Sequence, residues 1–179
     1  WGGEPADPRP VTSTAPLIPE RTAHPVVFIH VDGSESYGPH GHGLQNAAER
    51  QAIVSVLAHF ASAWSKQMLS VLVICMYAEQ HAALKRDITA KAEELKRQHD
   101  ANAPLLLQAE VRTVDASQGH EADVVLVSFV RASDGGRLGF VNDRRRINVA
   151  LSRARCGVIL FGHVDTCVRM QDGMVDHLL

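Results

Sequence analysis

Apolar residues along this 179-residue chain fall into two patterns. Near-unbroken runs of strand length occur at Val26–Val31, Val71–Met76, Val124–Val130 and Val158–Phe161, with a shorter one at Val111–Val114. Between them the spacing changes. Ile53, Leu57, Phe60, Ala61 and Trp64 recur at helical intervals, and so do Leu84, Ile88, Ala92 and Leu95. Asn46 followed by Glu49 suits a helix start in which Asn46 caps and the Glu49 carboxylate reaches back. Residues 143–154 read as a further helix and residues 164–179 as a last one. Strands that are apolar throughout, not alternating, are covered on both faces. With helices between most of them, the pattern predicts an α/β fold, a three-layer parallel sheet flanked by helices. In such sheets ligands sit at the carboxyl ends of strands. That directs attention to Met76-Tyr77, the loops after Val114 and Val130, and Gly162-His163.

Punctuation divides the chain. Six of the eight prolines lie in residues 1–25, which read as an irregular lead-in, leaving residues 26–179 as one lobe. Residues 32–45 read as a Gly/Ser/His loop, and Asp134-Gly-Gly136 as a turn. No apolar run is long enough for a membrane-spanning helix, so no membrane is expected among the partners. Three scattered cysteines are too few for a disulfide framework and point to a reducing compartment, cytoplasm or nucleus. His40-Gly-His42 lacks a third ligand at metal-site spacing, so no metal is assigned to it.

A net charge of −2 argues against a generally basic nucleic-acid binder, but the distribution qualifies that. Seven arginines and no lysine fall between Arg131 and Arg155, against Asp134 and Asp143 alone. Arginine's planar fork suits bidentate capture of phosphate, although a charge run is as often a solvated face.

The chemistry concentrates between Val111 and Gly162. Thr113-Val-Asp-Ala-Ser-Gln-Gly-His-Glu-Ala-Asp123 presents Gln118, Gly119 and Glu121 in a polar loop after a strand. Gly119 permits a turn or a close backbone approach, and Glu121 has the reach to bridge two hydroxyls, as on a ribose. Downstream come Val130-Arg-Ala-Ser133, Gly139-Phe-Val-Asn-Asp143 and Arg145-Arg-Ile-Asn-Val-Ala-Leu-Ser-Arg-Ala-Arg155. On a helix from Asp143, the residues Asn148, Ser152 and Arg155 would share one side, with Arg145 a turn earlier. Singly each feature has a plain reading: a turn, a cap at Asp115, a solvated helix face.

In this order and spacing the stretch resembles motifs V and VI of superfamily 1 helicases, in the branch of the nonsense-mediated-decay RNA helicase and senataxin. Two upstream segments are also similar. Gly33, Glu35, Asn46 and Glu49 match that branch's Gly-x-Glu and Asn-x-x-Glu pattern, and Tyr77 and Gln80 match its motif IV. Cys75, Met76 and Arg144 stand where the branch has Thr, Pro and Pro. The resemblance implies a RecA-like second motor lobe whose cleft with an upstream lobe of the same protein holds ATP and Mg²⁺. It implies that Arg153 is the arginine finger, with Arg155 the fallback. Glu121 would hold the ribose, and Gln118 and Gly119 would face the terminal phosphate. Thr113 and Tyr77 would contact single-stranded RNA or DNA. No G-x-x-x-x-G-K-[ST] occurs, so the chain lacks its own Walker A, and these residues alone are expected not to hydrolyse ATP. The competing expectation is a catalytically degenerate lobe acting as a nucleic-acid or protein scaffold, which the altered motif IV favours.

Overall fold

The computed structural model describes residues 25–39, 41, 43–64, 69–132 and 139–168. The lead-in before Pro25, His40, His42, the turn at 134–136 and the end of the tail lie outside the described residues. Among those described, five strands form one parallel sheet: β1 (Val26–His30), β4 (Val71–Cys75), β5 (Glu110–Thr113), β6 (Ala122–Ser128) and β7 (Ala154–Gly162), in the order β1-β7-β6-β4-β5. The predicted loop at 32–45 instead contains an antiparallel hairpin, β2 (Glu35–Tyr37) with β3 (Leu44–Asn46). Three-residue strands built from Ser, Gln and Gly neighbours carry no apolar alternation, so periodicity could not reveal them.

Side-chain alternation divides the core in two. Leu72, Ile74, Val125, Val127, Val158 and Leu160 point to one face of the sheet. Val71, Val73, Cys75, Leu126 and Phe161 point to the other. The second face is covered by α1 (Ala47–Trp64), α2 (Ala78–Arg97) and α3 (Ala103–Leu106) through Ile53, Leu57, Ala61, Leu84, Ile88, Ala92 and Leu106. The helical spacing read from the sequence is therefore the buried stripe, and each Ile or Leu in it stabilises by roughly 1.5–3 kcal/mol. The first face is covered by α4 (Arg144–Leu151), α5 (Val164–Val168) and the 3₁₀ turn at residues 115–117, through Ile147, Ala150, Val114 and Cys167.

One connection has a consequence for chemistry. Cys75 is level with both Thr113 of β5 and Ser128 of β6. Residues 114–121 must therefore return the chain from the carboxyl edge to the amino edge without a full helix, stepping past β4 on the way. α4 makes the same return: Asp143 caps it by accepting from the Arg145 N–H at 2.9 Å, and it ends at Leu151, with β7 starting at Ala154. The helix expected to run to residue 154 is thus shorter, and Arg155 lies in β7, not on a shared helix side with Asn148 and Ser152.

The start of α1 departs from the expected reciprocal cap. Asn46 Oδ1 does accept from the Glu49 N–H at 3.2 Å. The Asn46 N–H, however, donates to Gln80 Oε1 at 2.9 Å, and the Glu49 carboxylate turns inward instead of back. A Cβ on Gly33 would collide with the Ala48 Cβ at this point. Gly33→Ala is expected to destabilise the protein by about 1–3 kcal/mol through overpacking, read as a lowered melting temperature.

Candidate nucleotide and nucleic-acid edges

The residues singled out by sequence separate onto the two ends of the strands. At the amino edge, the Ala122 N–H donates to the Arg153 carbonyl at 3.0 Å, which holds the end of α4 against the loop carrying Gln118, Gly119 and Glu121. Gln118 and Gly119 are exposed. Gly119 has φ +83°, and a side chain there would meet nothing within 4 Å, so glycine is required for the turn and the space in front of it is open. Arg153 is half-buried. Its Nε donates to the Val149 carbonyl at 3.1 Å and its Nη2 to Ser152 Oγ at 3.0 Å. A cation against the last carbonyls of a helix is favoured by the helix dipole, and a guanidinium engaged this way keeps donors to spare.

Arg155 and Glu121 face each other at 3.7 Å, with Arg155 also 3.6 Å from Asp123. Glu121 and Arg155 are 57% and 56% exposed, so the pair holds weakly and is readily exchanged for a ligand. Asp123 is fixed separately: it accepts from the Ser70 N–H at 2.8 Å and the Ser70 hydroxyl at 2.7 Å, and these bonds hold its carboxyl below the usual range. Two guanidiniums, an amide and an open glycine turn fit the phosphate side of a nucleotide. They do not form a cradle enclosing all its phosphates. Among the described residues no three His, Cys, Asp or Glu side chains converge as metal ligands.

At the carboxyl edge stand Thr113, the start of α4 and the segment leaving β6. Thr113 Oγ1 accepts from the Ala116 N–H at 3.4 Å, shaping the turn that follows β5. Arg146 grips Asp115 with Nε–Oδ1 3.0 Å and Nη2–Oδ2 3.2 Å, tying α4 to that turn, and these bonds push its pKa up. Arg144 and Arg145 are exposed in the first turn of α4, where cations oppose the helix dipole. Tyr77, expected from the resemblance to contact the strand, lies close to this edge in the core. It is 7% exposed and belongs to the same core cluster as Val141, Phe129 and Met76. Cys75 and Met76 are buried as well, so the departures at motif IV fall on core positions.

An interlock behind this edge was not legible as such. Glu49 is 0% exposed. Its Oε2 accepts from the Ser128 hydroxyl at 2.6 Å, and both oxygens accept from the Val130 N–H, at 3.0 and 2.9 Å. Asn46 Nδ2 donates to the carbonyls of Gly33 and Val130, each at 3.3 Å. Gln80 Nε2 donates to Ser128 Oγ at 3.0 Å. Glu35 accepts from the Ala132 N–H at 2.9 Å and pairs with Arg131 at 2.9 Å. Val130 has φ +73°, a conformation that costs a β-branched residue of order 1–3 kcal/mol and persists only when its surroundings impose it. Burial pushes the Glu49 carboxyl up from 4.5 to about 7, against the pull of Ser128 and of the Val130 and Phe129 backbone.

A family model described as an AAA domain matches residues 11–165. The chain belongs to this AAA-domain family. Among relatives of this AAA domain, "Regulator of nonsense transcripts 1 homolog" of Drosophila melanogaster is 31% identical over 161 residues, covering 90% of this chain and 12% of that protein. "ATP-dependent helicase upf1" of Schizosaccharomyces pombe is 56% identical over 54 residues, 30% of this chain and 6% of that protein. "DNA replication ATP-dependent helicase/nuclease dna2" of the same yeast is 31% identical over 161 residues, 88% of this chain and 10% of that protein. The domain thus spans about a tenth of the length of such relatives. Family, relatives and sheet order agree with the motifs: this AAA domain is a RecA-like lobe of the superfamily 1, nonsense-mediated-decay type.

Proposed function

We propose that the chain is the C-terminal motor lobe of an ATP-dependent helicase moving 5′-to-3′ on single-stranded RNA or DNA. It works against an upstream RecA-like lobe of the same protein, which holds ATP and Mg²⁺. The carrying observation is the placement of Arg153 beside the 118–121 loop at the amino edge, fixed by the Ala122–Arg153 backbone bond.

Bound ATP supplies the phosphoanhydride whose cleavage drives the cycle. When the lobes close, the Arg153 guanidinium leaves Val149 and Ser152 and meets charge developing on the terminal phosphate. Gln118 and the open face of Gly119 lie against the same phosphate, and Glu121, released from Arg155, accepts from ribose hydroxyls. At the other ends of the strands, Thr113, Arg144 and Arg145 take strand phosphates. α4 spans the two edges, so displacement at its finger end is delivered to its strand end. Binding of this kind engages the phosphate backbone, which makes it salt-sensitive and nearly indifferent to sequence. The place of action is cytoplasm or nucleus, which suits the three free thiols, Cys75, Cys156 and Cys167.

Two measurements on the full protein test the reading. Duplexes carrying a 5′ single-stranded tail should be unwound in the presence of ATP and those with a 3′ tail should not; unwinding from the 3′ tail, or from neither, overturns it. Arg144→Ala with Arg145→Ala should flatten the salt dependence of strand affinity, by roughly 0.7 in log–log slope for each strand phosphate no longer neutralised. An unchanged slope removes α4 from the track.

A further inference from the structure

Three residues of the upstream pattern, Glu35, Asn46 and Glu49, converge on three consecutive residues 81 to 97 positions later, Val130, Arg131 and Ala132, and Gly33 joins them through its carbonyl on Asn46. The bonds of Asn46, Glu49 and Glu35 to Val130 and Ala132 constrain the backbone that leaves β6 at the carboxyl edge. Val130 contributes both its N–H and its carbonyl, and it is the residue held at φ +73°. A conformation this disfavoured for valine is imposed from outside: both Glu49 oxygens accept from the Val130 N–H, Oε2 sharing itself with Ser128, while Asn46 holds the Val130 carbonyl. Within the described residues the Arg131 guanidinium lies beside Gly139, where an added Cβ would come to 3.4 Å from Nη1, and Gly139 opens the turn that leads into α4 with Arg144 and Arg145.

We infer that Glu49 is a positioning residue for the nucleic-acid edge: as a carboxylate it holds Val130 in its left-handed turn, and so sets where Arg131 stands against Gly139. The inference rests on reading that edge as the strand track.

The hydrogen bonds favour the charged form, against the burial that raises the carboxyl to about 7. Ser128 Oγ already accepts from Gln80, so its own proton is directed at Glu49, and the Val130 N–H is the second donor. A proton on Oε1 costs the Val130 N–H one of its two acceptors and leaves Oε2 alone to serve both donors, and a proton on Oε2 displaces one of them. The other ionisable groups facing Glu49 are the Cys75 thiol from β4, the Cys167 thiol from α5 and the neighbouring Arg50, whose partner is Asp87 at 2.6 Å. Burial pushes both thiols up, that of Cys167 to about 12, so they stay neutral where Glu49 titrates.

The test uses the full protein as wild type, Glu49→Gln and Glu49→Ala. Gln keeps an oxygen for the Val130 N–H but cannot titrate; Ala removes the acceptor. Affinity for fluorescein-labelled oligo(U) and oligo(dT) is read by anisotropy, without nucleotide, between about pH 6 and pH 8, and exchange of the Val130 amide is followed at fixed pH. Wild-type affinity is expected to fall about fivefold more than that of Glu49→Gln on going to the lower pH, at the low end of coupling between sites. The Val130 amide is expected to stay slow in Glu49→Gln and become fast in Glu49→Ala. Coincident pH profiles for wild type and Glu49→Gln overturn the inference alone, whether or not the alanine variant folds. Equal Val130 exchange in wild type and Glu49→Ala also overturns it. A wild-type protein that binds neither strand at any pH overturns the track reading itself.

Discussion

Alanine at position 153 of the full protein is expected to lower strand-stimulated ATP turnover by roughly 10³-fold or more, the range that an arginine finger supplies in other NTPases. At 1.36 kcal/mol for each factor of ten, that is about 4 kcal/mol of transition-state stabilisation. The loss should fall on kcat and leave the KM for ATP and the affinity for strand nearly unchanged, because the guanidinium is engaged with Val149 and Ser152 until the lobes close. Folding should survive the change. The bonds removed run from a half-buried side chain to a carbonyl and a hydroxyl at the exposed end of α4, where water can replace it. Steady-state phosphate release with saturating oligonucleotide reads the effect. Arg155→Ala is the control: its partners Glu121 and Asp123 are an exposed pair and a carboxylate held by Ser70, and its removal should cost far less. If the Arg155 variant collapses and the Arg153 variant does not, the finger is Arg155.

The second large effect concerns stability and runs against the usual direction for a carboxylate. Glu49 has its folded-state pKa raised from 4.5 to about 7. Between those values the folded chain holds a proton that the unfolded chain has released, so stability falls as pH rises through the window. The gap amounts to about 3 kcal/mol lost between roughly pH 4.5 and pH 7. Glu49→Gln should abolish this component. The comparison with that variant is necessary because His81 works in the opposite sense over part of the same range. Burial holds its pKa below 6.5, so its contribution is present at higher pH and lost as pH falls. Asp123 is also held low, from 3.8, and titrates below the window. Native-state exchange of the slowest amides of β4 and β6, taken as the ratio of wild type to Glu49→Gln across that range, reads the opening free energy of this lobe. A ratio independent of pH would contradict the burial of a titrating carboxylate.

The parts of the fold visible in the sequence were those written in hydrophobic spacing. All five sheet strands and the inner faces of α1 and α2 followed from apolar runs and helical intervals, because burial on both faces of a parallel sheet leaves that imprint directly. The hairpin of β2 and β3 and the inward turn of Glu49 left none. Asn46 and Glu49 looked locally like a reciprocal cap, and only tertiary structure supplies Val130 and Ser128 as the better partners for the carboxylate. Gln80 was noted as a motif match, yet its work is to join Asn46 to Ser128 across the core. Tyr77, given a nucleic-acid contact by the resemblance alone, lies in the core cluster, a burial that its single position in the sequence did not announce. The general rule that ligands sit at strand carboxyl ends pointed to Thr113 and the loop after β6. It missed the amino edge, because two short returns, residues 114–121 and α4, carry Gln118, Glu121 and Arg153 back there.

The most direct measurement is a structure of the full protein bound to a single strand and ADP–aluminium fluoride, with the position of the Arg153 side chain as readout. The prediction is a guanidinium released from the Val149 carbonyl and Ser152 and lying within hydrogen-bond distance, about 2.7–3.2 Å, of the fluoride ligands. Arg153 still bonded to Val149 and Ser152, with lobes closed and another residue on the fluoride, would contradict the account.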